Sequence, residues 1–135
     1  MPNQPKVSIV IPIYNAEKYL HQTLDSLAEQ TLRDIEILCV NDCSTDSSGQ
    51  IIAKFAAGDP RFRQIDLPEN RGAGLSRKAG ILASTGKYIM FLDSDDCFQP
   101  NACRTAYRKI VEEDVDMVQF GTDVLVASAS VTAEG

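Results

Sequence analysis

Short apolar runs alternate along the chain with polar turns and with stretches where apolar residues recur every three or four positions. Val7-Ser8-Ile9-Val10-Ile11-Pro12-Ile13 is the first run. Its β-branched residues favour a strand, and Pro12, which cannot donate to a ladder, sets its expected end. After the loop Tyr14-Asn15, Tyr19, Leu20, Thr23, Leu24 and Leu27 predict a helix over about Ala16 to Gln30, with these five on its apolar face. Glu36-Ile37-Leu38-Cys39-Val40 predicts a second strand, and Asn41 to Ser48 a turn rich in helix-capping residues. A helix over about Ser47 to Ala57 follows, with Ile51, Ile52 and Phe55 inward, stopped by Gly58-Asp59-Pro60. Phe62 to Leu67 alternates and predicts a short third strand. Asn70 to Leu75 opens a third helix running to about Ser84, with Gly86 placed to end it.

Tyr88-Ile89-Met90-Phe91-Leu92 then runs straight into Asp93-Ser94-Asp95-Asp96. Such a run predicts a strand buried on both faces. Burying unpaired carboxylates is prohibitive, so the acids belong where the strand emerges, at its carboxyl end. Pro100 opens a fourth helix to about Glu113, Met117 to Phe120 is a fifth strand, and Val124-Leu125-Val126 begins another. This alternation predicts an α/β fold of three layers, a mostly parallel sheet with right-handed crossovers and helices on both faces. Residues 1–135 are read as one domain, without repeats, low-complexity tracts or linkers.

Composition narrows the chemistry. A length of 135 residues and 44% hydrophobic content suit a globular core. A net charge of 13 − 19 = −6 argues against nucleic acid as a partner. No run approaches the roughly 18 apolar residues of a membrane span, and the polar start Met1 to Lys6 does not read as a signal peptide. Cys39, Cys43, Cys97 and Cys103 form no Cys-x-x-Cys pair, and His21 stands alone, which disfavours structural zinc and a Ser/His/Asp triad. Reduced thiols in the cytoplasm are expected.

Three acids crowded at a strand end repel one another, and a hard divalent cation relieves them. An EF-hand does not fit: counting from Asp93, position six is Phe98 and position twelve is Arg104. The second strand also ends in acid, at Asp42. In a parallel sheet both ends lie on one edge, facing one crevice. A lone Asp42 suits a ligand N–H, such as the ring N–H of uracil, thymine or guanine; capping the second helix is its alternative role. Gly72-Ala73-Gly74 lacks the third glycine of a dinucleotide fingerprint, since position 77 is Arg77. These glycines are expected to let the backbone pass close to a ligand or a neighbouring element. Arg77 and Lys78 are the local cations for a phosphate or a base carbonyl.

Four collinear segments resemble the nucleotide-binding part of family-2 glycosyltransferases of the GT-A fold: Val7 to Asn15; Val40 to Asp46; Asn70 to Gly74 with Arg77; and Phe91 to Asp96. The resemblance covers nearly the whole chain. It implies transfer of a sugar, with inversion, from a nucleoside diphosphate to an acceptor hydroxyl of a polysaccharide or glycolipid. UDP-sugars stand first among the donors. It implies that Pro12, Tyr14 and Glu17 border the nucleoside, that Asp42 bonds the base, and that Arg77 lies near base or phosphates. Asp93 and Ser94 would meet the nucleotide, and Asp95 with Asp93 would hold Mn²⁺ or Mg²⁺. Peripheral association with the inner face of the plasma membrane and a homodimer are compatible with it. Cys43 stands where the family commonly has Gly. The general base, the acceptor elements and a tryptophan motif are expected beyond Gly135, so the chain is expected to be a fragment with little turnover of its own. Two competing readings are a haloacid-dehalogenase-type phosphohydrolase using Asp93, for which Cys97 and the position of the strand fit poorly, and a non-catalytic nucleotide-binding module.

Overall fold

The computed structural model describes residues 4–113 together with the backbone of 117–120 and 123–127. The elements in order are β1 (Val7–Ile13), α1 (Glu17–Ala28), β2 (Ile35–Asn41), α2 (Ser48–Gly58), β3 (Phe62–Asp66), α3 (Ala73–Ala83), β4 (Tyr88–Phe91), α4 (Ala102–Glu112), β5 (Met117–Phe120) and β6 (Asp123–Ala127). The six strands form one sheet in the order β3-β2-β1-β4-β6-β5. β3, β2, β1 and β4 are parallel, whereas β6 runs antiparallel to both β4 and β5. The expected α/β architecture is thus present, and the run at Val124 is a strand inserted between β4 and β5.

The layers follow from strand periodicity, which sends alternate side chains to opposite faces. Val7, Ile9, Ile11 and Ile13 of β1 join Ile37 and Cys39 of β2 in a core shared with α1, α2 and α4. Val10, Leu38, Val40 and Ile89 point the other way, against Ala79 and Ile81 of α3. α3 lies close to the sheet because Gly80 has no side chain: a Cβ there would stand 2.4 Å from Val10 Cγ1. β1 runs one residue past Pro12. The Val10 carbonyl accepts from Leu92 N, and the Ile13 carbonyl accepts from Asp42 N on the opposite side. Pro12 therefore turns its nitrogen toward the side of β4, where the β1–β4 pairing has already ended at Val10–Phe91.

Several sequence expectations shift. Tyr19, placed on the buried face of α1, is 47% exposed, while Leu20, Thr23, Leu24 and Leu27 are buried. Of the residues expected inward on α2, Ile52 is buried and Ile51 and Phe55 are half-buried. α3 ends at Ala83, and Gly86 serves another contact. Its amide donates to Ser8 Oγ at 2.8 Å, and a Cβ would stand 2.4 Å from that oxygen.

The α3-facing layer holds a charge at the amino end of β2. Glu36 is buried and accepts from Ser8 Oγ (2.6 Å), Thr85 N (2.5 Å), Thr85 Oγ1 (2.8 Å) and Arg63 Nη1 (3.0 Å). Burial pushes its carboxyl up, but the bonds from Ser8, Thr85 and Arg63 outweigh burial and hold it below the usual range. A depressed carboxyl stabilises the fold fully above the unfolded value, about 4.3 for Glu, and that contribution is lost as pH falls through the folded value. Glu36→Gln is therefore expected to cost about 1–3 kcal/mol at pH 7. It should also flatten the loss of urea stability below about pH 4.3. An unaltered acid limb in the variant would assign that loss to other carboxylates.

Candidate functional site

β1, β2 and β4 end at one edge of the sheet, and the loops that leave them, with the first turns of α3, line an open cleft of about 410 Å³. Its lining includes Pro12, Tyr14, Asp42, Arg77, Asp93, Ser94 and Asp95, so six of the seven residues named for the nucleotide and both named for the metal come together. Glu17 is the exception. Its carboxylate accepts from Ser47 N at 3.0 Å and from the Ser47 hydroxyl, and it does not line the cleft. Lys78 is exposed and also lies off the cleft.

The loop after β1 and the loop after β2 cap one another. Ala16 N donates to Ser48 Oγ and Glu17 N to Asp46 Oδ2, which satisfies amides at the start of α1. In return, Asn15 Oδ1 accepts from Thr45 N and Asp46 N. Ser48 N also bonds Asp46 Oδ1, so the capping-rich segment serves both helices. Asn15 and Cys43 carry φ of 48° and 60°. Asn tolerates this left-handed region, whereas Cys pays a steric penalty that Gly avoids.

Asp42 does not cap α2. It is 3% exposed, and its two carboxylate oxygens accept from Arg71 N and Gly72 N, each at 2.8 Å. Gly72 has φ 90°, the backbone that presents its amide there, and no atom lies within 4 Å of a Cβ built on it or on Gly74. These two glycines thus provide a turn and open space rather than a close approach to a neighbour. Each Asp42 oxygen retains acceptor capacity beyond its one backbone bond.

The acid loop is held from below. Leu92 is buried and bonded to β1. On α1, Thr23 Oγ1 donates to Ser94 O at 3.0 Å and Ser26 Oγ accepts from Phe98 N; just past the end of α1, buried Gln30 donates to Gln99 O (2.7 Å) and accepts from Cys103 N (3.0 Å). Asp93, Asp95 and Asp96 project outward, and one oxygen from each lies within 4.8 Å of the others. This all-oxygen set fits a hard divalent cation. Arg77 Nη2 reaches Asp93 Oδ1 at 3.3 Å across the cleft. The cysteines form no disulfide, and burial pushes the Cys39 and Cys103 thiols up to about 12, which removes both as nucleophiles near neutral pH.

Asn15, Ala16, Tyr19, Ala73 and Ser76 also line the cleft and were not expected there, and Asp96 joins the acid cluster beside the two named metal ligands. The Asp93-Ser94-Asp95-Asp96 run already signals Asp96. The helical period that placed Tyr19 in the core concealed its role, and nothing in the sequence marks Ser76.

The family model described as Glycosyl transferase family 2 matches residues 8–126. The chain is 42% identical over 112 residues to "Glycosyltransferase GlyA" of Streptococcus pneumoniae, an alignment covering 83% of this chain and 16% of that protein. The fold superimposes with a TM-score of 0.87 on S. aureus TarS 1-349 in complex with UDP-GlcNAc, at 24% identity, over 96% of this chain and 47% of that one. The TM-score is also 0.87 against the mannosyltransferase PcManGT from Pyrobaculum calidifontis in complex with GDP-Man and Mn²⁺, at 16% identity, over 98% of this chain and 47% of that one. The chain thus spans about half of the two structures and a much smaller share of the curated relative.

Replacing Cys43 by Gly relieves the left-handed strain at the price of a more flexible unfolded chain. Cys43→Gly is expected to leave stability unchanged or raise it by up to about 1 kcal/mol in urea unfolding. A clear loss would show that the Cys43 side chain contributes packing that outweighs its backbone cost.

Proposed function

The chain belongs to glycosyl transferase family 2, and from that premise we propose that it forms the donor-binding part of an enzyme that transfers a sugar from a nucleoside diphosphate to an acceptor hydroxyl. The observation that carries the reading is the meeting, in one cleft, of the acid cluster with Arg77, Asp42 and Tyr14. TarS and PcManGT share the fold and were solved with UDP-GlcNAc and with GDP-Man and Mn²⁺, which supports a nucleotide-sugar and a divalent cation as ligands here.

In this reading Tyr14, 48% exposed at the mouth, offers its ring to the nucleoside beside Pro12. Asp42 accepts a base N–H on the lone pairs left by Arg71 and Gly72. Arg77 turns from Asp93 to the phosphates, where a guanidinium binds in a charge-assisted, bidentate way. Asp93 and Asp95, with Asp96 beside them, hold Mn²⁺ or Mg²⁺, and Ser94 meets the nucleotide. When bound, the cation acts as a Lewis acid on the diphosphate as it gains charge in departing. Inversion at the sugar, a polysaccharide or glycolipid acceptor, and work at the cytoplasmic face of a membrane complete the proposal. Among the described residues no helix is long and apolar enough to cross a membrane.

Calorimetric titration of UDP into the chain, with and without Mn²⁺, tests this. Mn²⁺ is expected to tighten UDP binding at least about tenfold, roughly 1.4 kcal/mol. Asp95→Ala should abolish that gain while leaving metal-free binding in place. UDP affinity indifferent to Mn²⁺, or a full metal effect in Asp95→Ala, would sink the assignment of the acids.

A further inference from the structure

Buried polar side chains are nearly always hydrogen-bonded. Among the described residues two such atoms have no partner, Arg61 Nη1 and Ser76 Oγ. The first is the spare nitrogen of a guanidinium already bound to Asp59 and to the Ala28 carbonyl. Ser76 is different, because the unpartnered atom is the whole of its polar side chain. The residue is 0% exposed, yet it belongs to the lining of the cleft.

Its place is fixed on both sides. One turn before it, Asp42 holds the Arg71 and Gly72 amides, and one turn after it Gly80 seats α3 against Val10 and Val40. The Ser76 amide bonds the Gly72 carbonyl at 3.0 Å as any helical residue does, and the hydroxyl takes no such bond. Packing alone would be served better by alanine, which is as small, forms helix more readily and buries no hydroxyl.

We propose that Ser76 is a specificity-determining contact to the nucleoside, its hydroxyl meeting the neutral polar edge of the base or ribose. The proposal rests on the donor-site reading above. The charged end of the ligand is served by the exposed acids and Arg77 at the mouth, whereas a single buried neutral hydroxyl suits a neutral partner rather than a phosphate, whose desolvation it could not offset. A serine hydroxyl both donates and accepts, so it can pair with either a donor or an acceptor on the nucleoside.

The experiment compares the chain with Ser76→Ala. Thermal unfolding is recorded without ligand, UDP affinity is measured by calorimetry with Mn²⁺, and uridine affinity by displacement of UDP. The variant is expected to melt at the same temperature or a few degrees higher, because it loses an unpartnered buried hydroxyl. It should bind UDP and uridine about three- to tenfold more weakly, by a similar factor for each. Unchanged UDP affinity in the variant, with UDP bound normally by the unsubstituted chain, overturns the role of Ser76 and leaves the donor site standing. A lower melting temperature with unchanged affinity overturns it in favour of a structural hydroxyl. Weaker UDP binding with unchanged uridine binding places the contact on the diphosphate and contradicts the nucleoside assignment. If the unsubstituted chain binds no UDP, the donor-site reading falls and this proposal falls with it.

Discussion

An ionised carboxylate survives inside a sheet only where donors surround it, and elsewhere it must leave the interior. The chain contains both solutions. Glu36 stays buried at the amino end of β2 because Ser8, Thr85 and Arg63 supply four donors to it. Asp93, Asp95 and Asp96 have no comparable set, and the chain brings them out where β4 ends. Since β1, β2 and β4 run parallel, the same edge collects Tyr14 and Asp42. One electrostatic constraint thus fixes where the cleft lies and which residues can share it.

Position on that edge still has to be held, because strand ends open into loops. The two sides are held differently. The acid loop and the segment after it lie over Thr23 and Ser26 of α1 and over Gln30 just past its end, which bond their backbone from beneath. The opposite wall is α3, tied by Asp42 at its start and allowed onto the sheet by Gly80. Arg77 spans the gap to Asp93 in an exposed ion pair, of the kind that contributes little to stability.

Sequence carried the strand order of chemistry well. Unbroken apolar runs ending in acid marked β2 and β4, and parallel topology then joined Asp42 to Asp93. What it did not reveal depends on contacts between residues far apart in the chain. Tyr19 obeys the helical period of the core yet stands in the cleft, because α1 ends its packing one position short of it. Gly80 and Gly86 meet β1 residues some seventy or more positions away, and no local pattern signals that approach. The mutual capping of the first two loops reads locally as ordinary capping of α2. β6 slips between β4 and β5 because pairing partners are chosen in space, and the period-two pattern says only that a strand exists.

In the proposed site the cation sits on the Asp93–Asp96 loop and is held there together with nucleotide. A ¹⁵N-labelled sample of the chain, titrated with substoichiometric Mn²⁺ in the presence of UDP, tests it most directly, since the paramagnetic ion broadens amide signals according to distance. Loss of the Asp93 to Asp96 signals is expected first, then of those of the surrounding cleft at Tyr14 and Arg77, with Phe62 in β3 and Ile52 in α2 retained. Broadening centred on any other acidic surface, or none when UDP is bound, would contradict it.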